Sequence, residues 1–161
     1  MSQASIAKLR TLSPQLNEST DEANRVVAMV EKFLNDECSI GLPAEVGVST
    51  RTLRVEADDD DEATTATEYT TLNYARVDGT FRIAVEVGLS HEGADERGMA
   101  RTEWEQTSLT PWASCPRSVK LETFPSLADL LKAICESTEK AIEQTAETSK
   151  AVEDILGALE G

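Results

Sequence analysis

The sequence predicts an α+β fold with an N-terminal helix, an antiparallel sheet of three or four strands and a long C-terminal helix. Apolar residues recur at helical spacing towards both ends of the chain, and they alternate with polar residues in its middle third. An Asp-Gly pair also separates two of the alternating segments. The chain has 161 residues, which is the size of one domain, and we predict a single domain over residues 1–161.

The first helix is predicted over residues 14–39. Ser13 is a suitable N-cap, and Pro14 suits the first helical position, where its missing N–H and its fixed φ cost nothing. Gly41 then marks the end of the helix. Positions three and four residues apart form one apolar face of this helix. They are Leu16, Thr20, Ala23, Val27, Val30 and Leu34.

Two features of the N-terminal region leave alternatives open. Ser19 and Glu22 match a capping box, which would begin the helix later and leave residues 14–19 as a loop. Residues 2–12 are compatible with either a short helix or a frayed end.

The sheet is predicted within residues 44–106, and a hairpin is its clearest part. Asp78-Gly79 connects two strand-like segments, residues 69–77 and residues 80–87. This dipeptide tolerates the positive φ values of a type I′ turn, whose twist suits a two-residue hairpin.

The remaining sheet region contains two further strand signals and two loop signals. Residues 46–55 predict a strand because they are rich in β-branched residues and alternate in polarity. Residues 99–106 are compatible with a fourth strand, anchored by Trp104, and this choice stays open. The acidic run at residues 58–62 repels itself and predicts a solvated loop. Residues 88–98 also predict a loop, from their composition.

A long helix is predicted over residues 125–159, beginning at Pro125, whereas residues 116–124 are left open between helix and strand. A helix of this length extends about 50 Å at about 1.5 Å per residue, more than the width of a four-strand sheet. Its end is therefore expected to protrude. One face repeats in steps of four and three residues, as in a coiled coil. This face consists of Leu127, Leu131, Ile134, Thr138, Ala141, Thr145, Thr148, Val152, Ile155 and Leu159.

Apolar residues of this helix are the predicted interaction site, and they pair with the first helix or with a second copy of the chain. Water disfavours exposed apolar surface by about 25 cal/mol per Å². The predicted interaction residues are Leu127, Leu131, Ile134, Ala141, Val152, Ile155, Leu156 and Leu159.

Charge and composition exclude several classes of partner. The formal net charge of −15 opposes direct binding to nucleic acid or to anionic membrane surfaces. The chain has no apolar run approaching the roughly 20 residues that span a bilayer, and no apolar segment typical of a secretory signal at its N-terminus. Three widely spaced cysteines without a CxxC pair are typical of a reducing compartment. We therefore expect a cytoplasmic protein.

The candidate chemical groups do not combine into a site. If Asp58 began a calcium loop, Ala63 would stand where Gly is needed and Tyr69 where a bidentate Glu is needed. His91 lies in a predicted loop without an identifiable nucleophile or orienting partner. Cys115 is the one cysteine with an argument for reactivity, if it caps a helix N-terminus beside Arg117. We predict no metal, no cofactor and no catalytic residue.

Two stretches resemble segments of small uncharacterised bacterial proteins. Residues 16–24 contain an LNE-x-x-D-x-x-N helix start, and residues 115–121, followed by a Leu-rich segment, resemble the second half of those proteins. The resemblance covers about half of the chain and excludes the acidic run at residues 58–62. It implies a bacterial, cytosolic protein with a helix–sheet–helix layout, and it implies no chemistry.

These features predict a non-enzymatic protein–protein interaction module that associates with itself or with a partner chain through amphipathic helices. The alternative is an acidic chaperone-like or decoy protein that occupies the basic surface of a partner. The net charge motivates this alternative, but the acids are spread over loops and helix surfaces instead of forming a regular array.

Overall fold

The α+β prediction is confirmed. A computed structural model describes residues 3–55, 64–94, 100–106 and 109–159. It contains an N-terminal helix, an antiparallel sheet and a long C-terminal helix. The helices are α1 (Gln3–Lys32), which continues into a π-helical turn (Phe33–Glu37), α2 (Arg117–Thr123) and α3 (Leu127–Leu159). The strands are β1 (Ala44–Val55), β2 (Thr64–Val77), β3 (Thr80–Ala94), β4 (Ala100–Gln106) and the short β5 (Thr110–Pro111).

The strands follow the order β1-β2-β3-β4, with every pair antiparallel, and β5 pairs with β3. The predicted hairpin joins β2 to β3, and Asp78 and Gly79 have φ angles of 50° and 85°. Both residues are therefore left-handed, as a type I′ turn requires. The fourth strand that the sequence left open is present as β4, although the side chain of Trp104 lies outside the described residues.

The prediction of a loop over residues 88–98 is wrong for its first seven residues. β3 continues to Ala94, because β2 extends back to Thr64 and β4 pairs on the other side of β3. Backbone hydrogen bonds to two neighbours outweigh the polar composition of this segment. Residues 95–98 and the acidic run at residues 58–62 lie outside the described part of the chain.

The predicted start of the first helix is also wrong. α1 already includes Gln3, so Pro14 lies inside the helix, and neither Ser13 nor Ser19 begins it. Residues 3–12 are rich in Ala, Leu, Lys and Arg, which favour helix strongly enough to continue through one proline. The helical segment ends at Glu37, slightly before the predicted end, and is followed by left-handed φ angles at Ser39 and Gly41.

The core lies on one face of the sheet, beneath the helices. Its largest fully buried side chains are Trp112 and Tyr74. Residues 116–124, which the sequence left open between helix and strand, contain the helix α2, and a 3-10 turn follows at Phe124–Ser126. The buried cluster consists of Ala23, Val27, Leu34, Leu72, Tyr74, Ile83, Val85, Trp112, Cys115, Leu127, Leu130 and Ile134.

Polar side chains from the end of α1 fix this helix to β3. Asn35 Nδ2 donates to the carbonyl of Phe81 at 2.9 Å, and Tyr74 OH donates to Asn35 Oδ1 at 2.7 Å. The N–H of Ile83 donates to Glu31 Oε1 at 2.7 Å. On this side of β3, the described strands β4 and β5 pair with it from Ala84 onwards. Before Ala84, helix side chains bond the backbone groups of this edge of β3.

A second polar cluster ties α2 to α1. Trp112 Nε1 donates to Thr123 Oγ1 at 2.9 Å. Lys120 Nζ lies 5.2 Å from the centre of the Trp112 ring and donates to Asn24 Oδ1 at 3.0 Å. It also donates to the carbonyl of Ala113 at 2.7 Å. These contacts fix α1 at Asn24, about three turns before its contact with β3.

No helix in the described ranges combines the length and the hydropathy that crossing a membrane requires.

Asn35→Ala is expected to lower the free energy of unfolding by about 2 kcal/mol, because it removes one hydrogen bond and leaves the Tyr74 hydroxyl without its acceptor. Urea denaturation measures the change. Asp36→Ala, which alters the exposed neighbour, is the matched control and should stay within about 0.5 kcal/mol. Equal destabilisation by both variants would contradict the role given to Asn35.

Candidate functional site

The two long helices cross the sheet in the same direction. α1 passes α2 at Asn24 and reaches the hairpin end of the sheet at Asn35. α3 follows directly after α2, and Ser137 Oγ donates to the carbonyl of Pro43 at 3.4 Å. Pro43 precedes Ala44, which is paired with Tyr74 near the hairpin turn. Both helices therefore run from the level of α2 towards the hairpin.

Each helix has one end without cover from the sheet. The head overhang is residues 3–19, and every side chain in it is exposed. Thr20 is the first buried residue of α1. The tail overhang is residues 142–159, in which every described side chain is exposed. Because the helices share a direction, the head overhang leaves the body at the α2 level and the tail overhang leaves it at the hairpin end. The overhangs therefore leave the body at opposite ends.

Large apolar side chains occupy both overhangs. In the tail overhang they are 47% to 64% exposed, and in the head overhang 38% to 58% exposed. Both segments are already folded as helix, so their apolar residues lie on defined faces. In the tail overhang these residues are Ile142, Val152, Ile155 and Leu156. In the head overhang they are Ile6, Leu9, Leu12 and Leu16.

The threonines on the apolar face of α3 have their hydroxyls bonded within the helix. Thr138, Thr145 and Thr148 each donate from Oγ1 to the carbonyl four residues earlier, at 2.8 Å. A hydroxyl bonded in this way needs no other partner on burial, and its methyl group stays available for packing. The polar middle of the predicted coiled-coil face can therefore be covered without leaving an unpaired polar group.

The predicted interaction residues separate into two groups. Leu127 and Ile134 are buried in the core of the domain, and Leu131 packs against it. Ala141 lies at the boundary and is half-buried. Val152, Ile155 and Leu156 are exposed on the tail overhang. The side chain of Leu159 lies outside the described residues.

The structure shows helix over residues 3–12, where the sequence left helix or a frayed end open, and it adds the apolar residues of the head overhang and Ile142 to the candidate site. The spacing of three and four residues continues backwards from Thr20 through Leu16, Ser13, Leu9 and Ile6, and three of these four residues are apolar. Ser13-Pro14 hides this signal, because the pair is also typical of a helix start. Ile142 was missed because it flanks the repeating face instead of belonging to it.

Cys115 does not have the environment of an activated thiolate. Pro116 instead of Cys115 is the N-cap of α2, and burial raises the pKa of the Cys115 thiol, an effect that the charge of Lys120 only partly opposes. Its Sγ lies 3.5 Å from the carbonyl oxygen of Pro111. Cys38 and Cys135 are exposed, and all three cysteines are free thiols.

Alkylation should therefore modify Cys38 and Cys135 before Cys115 when the native protein is treated with iodoacetamide near pH 8. The thiolate is the reacting species, and a raised pKa moves its formation at Cys115 to higher pH. Peptide mass spectrometry over a pH series measures the order, and the unfolded protein in urea serves as the control. Earlier modification of Cys115 in the native protein would contradict the buried, neutral thiol.

The other chemical candidates lie wholly or partly outside the described residues. His91 lies within β3, opposite Ala66 of β2 and Glu103 of β4, and its side chain lies outside the described residues. In the part of the chain that the structure describes, no three His, Cys, Asp or Glu residues are grouped so as to hold a metal ion.

A groove of about 750 Å³ lies over β1, β2 and β3, and Tyr69, Glu45 and Glu86 contribute to its lining. Desolvation raises the pKa of Tyr69, and the charges of Glu86 and Glu45 raise it further. The Tyr69 ring covers Gly88, the residue directly opposite it on β3. A side chain at position 88 would occupy the space of this ring.

Gly88→Ala is expected to destabilise the protein by about 1–3 kcal/mol, because the new methyl group must displace the Tyr69 ring. Thermal or urea unfolding measures the change. Gly47→Ala on β1 is the matched control, since a Cβ there meets no atom within 4 Å. Equal stability of the two variants would contradict the close packing of Tyr69 on Gly88.

Comparison with family models, curated proteins and solved structures finds no match to this chain.

Proposed function

We propose that the protein is a non-enzymatic interaction module that acts by covering the apolar faces of its helical overhangs with another chain. The exposed apolar face of the tail overhang is the observation that carries this proposal. Burying such surface stabilises by about 25 cal/mol per Å², and a folded helix presents it with little further ordering cost.

The length of the tail overhang supports the same proposal. An isolated helix of this length is marginally stable in water, because tertiary packing of an apolar face supplies most helix stability in proteins. The sheet supplies this packing to α3 only in its first turns, where Leu130 and Ile134 are buried. A partner along residues 142–159 would supply it to the rest.

The acidic decoy function has a different physical signature. It would depend on the net charge of −15 and would weaken steeply as salt screens that charge. An association driven by apolar helix faces persists at high salt. Free thiols at all three cysteines support a location in the reducing cytoplasm for either function.

Ile155→Asp is expected to weaken self-association by at least about tenfold, because it places a charge in the apolar face of the tail overhang. Light scattering over a concentration series, with and without added salt, measures the mass. Ala146→Asp is the matched control: it adds the same charge on the other side of the same exposed helix. Circular dichroism verifies that each variant remains folded.

A wild-type protein that stays monomeric at high concentration, with the tail overhang helical, would contradict self-association. Equal weakening by Ile155→Asp and Ala146→Asp would contradict the assignment to the apolar face. Complete dissociation by added salt would contradict an association driven by the apolar faces.

A further inference from the structure

We infer that the tail overhang of one copy docks alongside the head overhang of a second copy, with the two helices parallel. This inference rests on the proposed function and specifies its partner as another copy of the same chain. Four observations support it: the directions of the overhangs, their lengths, the register of their apolar faces and their charges.

The directions exclude pairing within one chain and favour pairing between copies. The two overhangs project from opposite ends of the body, so the head and tail of one molecule do not meet. If two copies are aligned end to end in the same orientation, the tail overhang of one runs beside the head overhang of the next. Both helices then point the same way, because α1 and α3 share a direction in the domain. The overhangs also match in length, about 25 Å and about 27 Å at about 1.5 Å per residue.

The apolar faces fall into register in this arrangement. Placing the first residue of the head overhang, Gln3, beside the first residue of the tail overhang, Ile142, aligns the three-and-four spacing of both helices. Each pair of facing residues forms one layer of the contact. In two of the layers a larger head residue faces a smaller tail residue, which allows close packing of the helices. The aligned pairs are Ile6 with Thr145, Leu9 with Thr148, Ser13 with Val152 and Leu16 with Ile155.

The positions that flank these layers are also compatible. In a parallel coiled coil, the residue before one layer on one helix faces the residue after the next layer on the other helix. This places Leu12 beside Leu156 and Arg10 beside Gln144. Both leucines are about half exposed in the single chain, so the pairing covers further apolar surface. No pair of like charges faces across this contact.

Charge favours the head as the partner of the tail. Lys8 and Arg10 against Glu18 leave the head overhang with one net positive charge, although the whole chain carries −15. The tail overhang has four acidic residues and Lys150, which leave three net negative charges. Two tails would therefore repel each other, whereas a head and a tail attract. The four acidic residues are Glu143, Glu147, Glu153 and Asp154.

A contact of this type joins two different surfaces, so each copy in a pair retains one free head and one free tail. Head-to-tail contacts that do not close into a ring continue as open chains. The mass of the assembly should then grow with concentration instead of stopping at a dimer.

Two double variants test the inference. The tail-blocked variant carries Ile155→Asp and Leu156→Asp, and the head-blocked variant carries Leu9→Asp and Leu16→Asp. Each variant alone should be monomeric by light scattering. An equimolar mixture should form a complex of two chains and nothing larger, because one intact tail and one intact head remain. The control variants Ala7→Asp and Ala146→Asp change exposed residues outside the aligned apolar layers and should still assemble into complexes of more than two chains.

The outcomes separate this inference from the proposed function. If the head-blocked variant alone still associates, tails pair with tails; the head-to-tail inference is then overturned and the interaction function stands. If the wild type associates but the mixture stays monomeric while both variants are folded, the inference is likewise overturned. If the wild type itself is monomeric, self-association as a whole is overturned.

Discussion

The sheet covers only one part of each long helix, and the proposed function depends on this constraint. Among the side chains that the structure describes, α1 contributes buried residues from Thr20 onwards, and α3 contributes them as far as Ile134. The remaining turns lie outside the domain although they keep the apolar spacing of the buried turns. The features that we connect with function are therefore continuations of the features that build the core.

Polar contacts determine which part of each helix lies on the sheet. Asn35 and Glu31 fix the end of α1 to the unpaired edge of β3, and Lys120 fixes its middle to α2. Burial raises the pKa of Glu31, and the N–H of Ile83 partly offsets this effect by stabilising the carboxylate. These contacts fix the position of α1 along its own axis relative to the sheet, which a repeating apolar face alone does not do. They thereby set the length and the direction of the head overhang.

The sequence was sufficient for the fold class, the hairpin at Asp78-Gly79 and the periodic face of α3, because local spacing and turn chemistry determine them. It was insufficient for Pro14 inside α1, since helix propensity on both sides outweighed one local signal. The extension of β3 to Ala94 depends on pairing with distant strands, which local composition does not report. The separation of the predicted interaction residues into buried and exposed groups depended on where the sheet ends.

Hydrogen exchange at two protein concentrations tests the central claim most directly. The overhangs lack tertiary cover in the single chain, so their amides should exchange quickly in dilute solution. At high concentration, exchange should slow in residues 3–19 and residues 142–159 together, while the hairpin stays unchanged. Exchange in both overhangs that is independent of concentration, or protection confined to the tail overhang, would contradict the claim that copies cover each other head to tail.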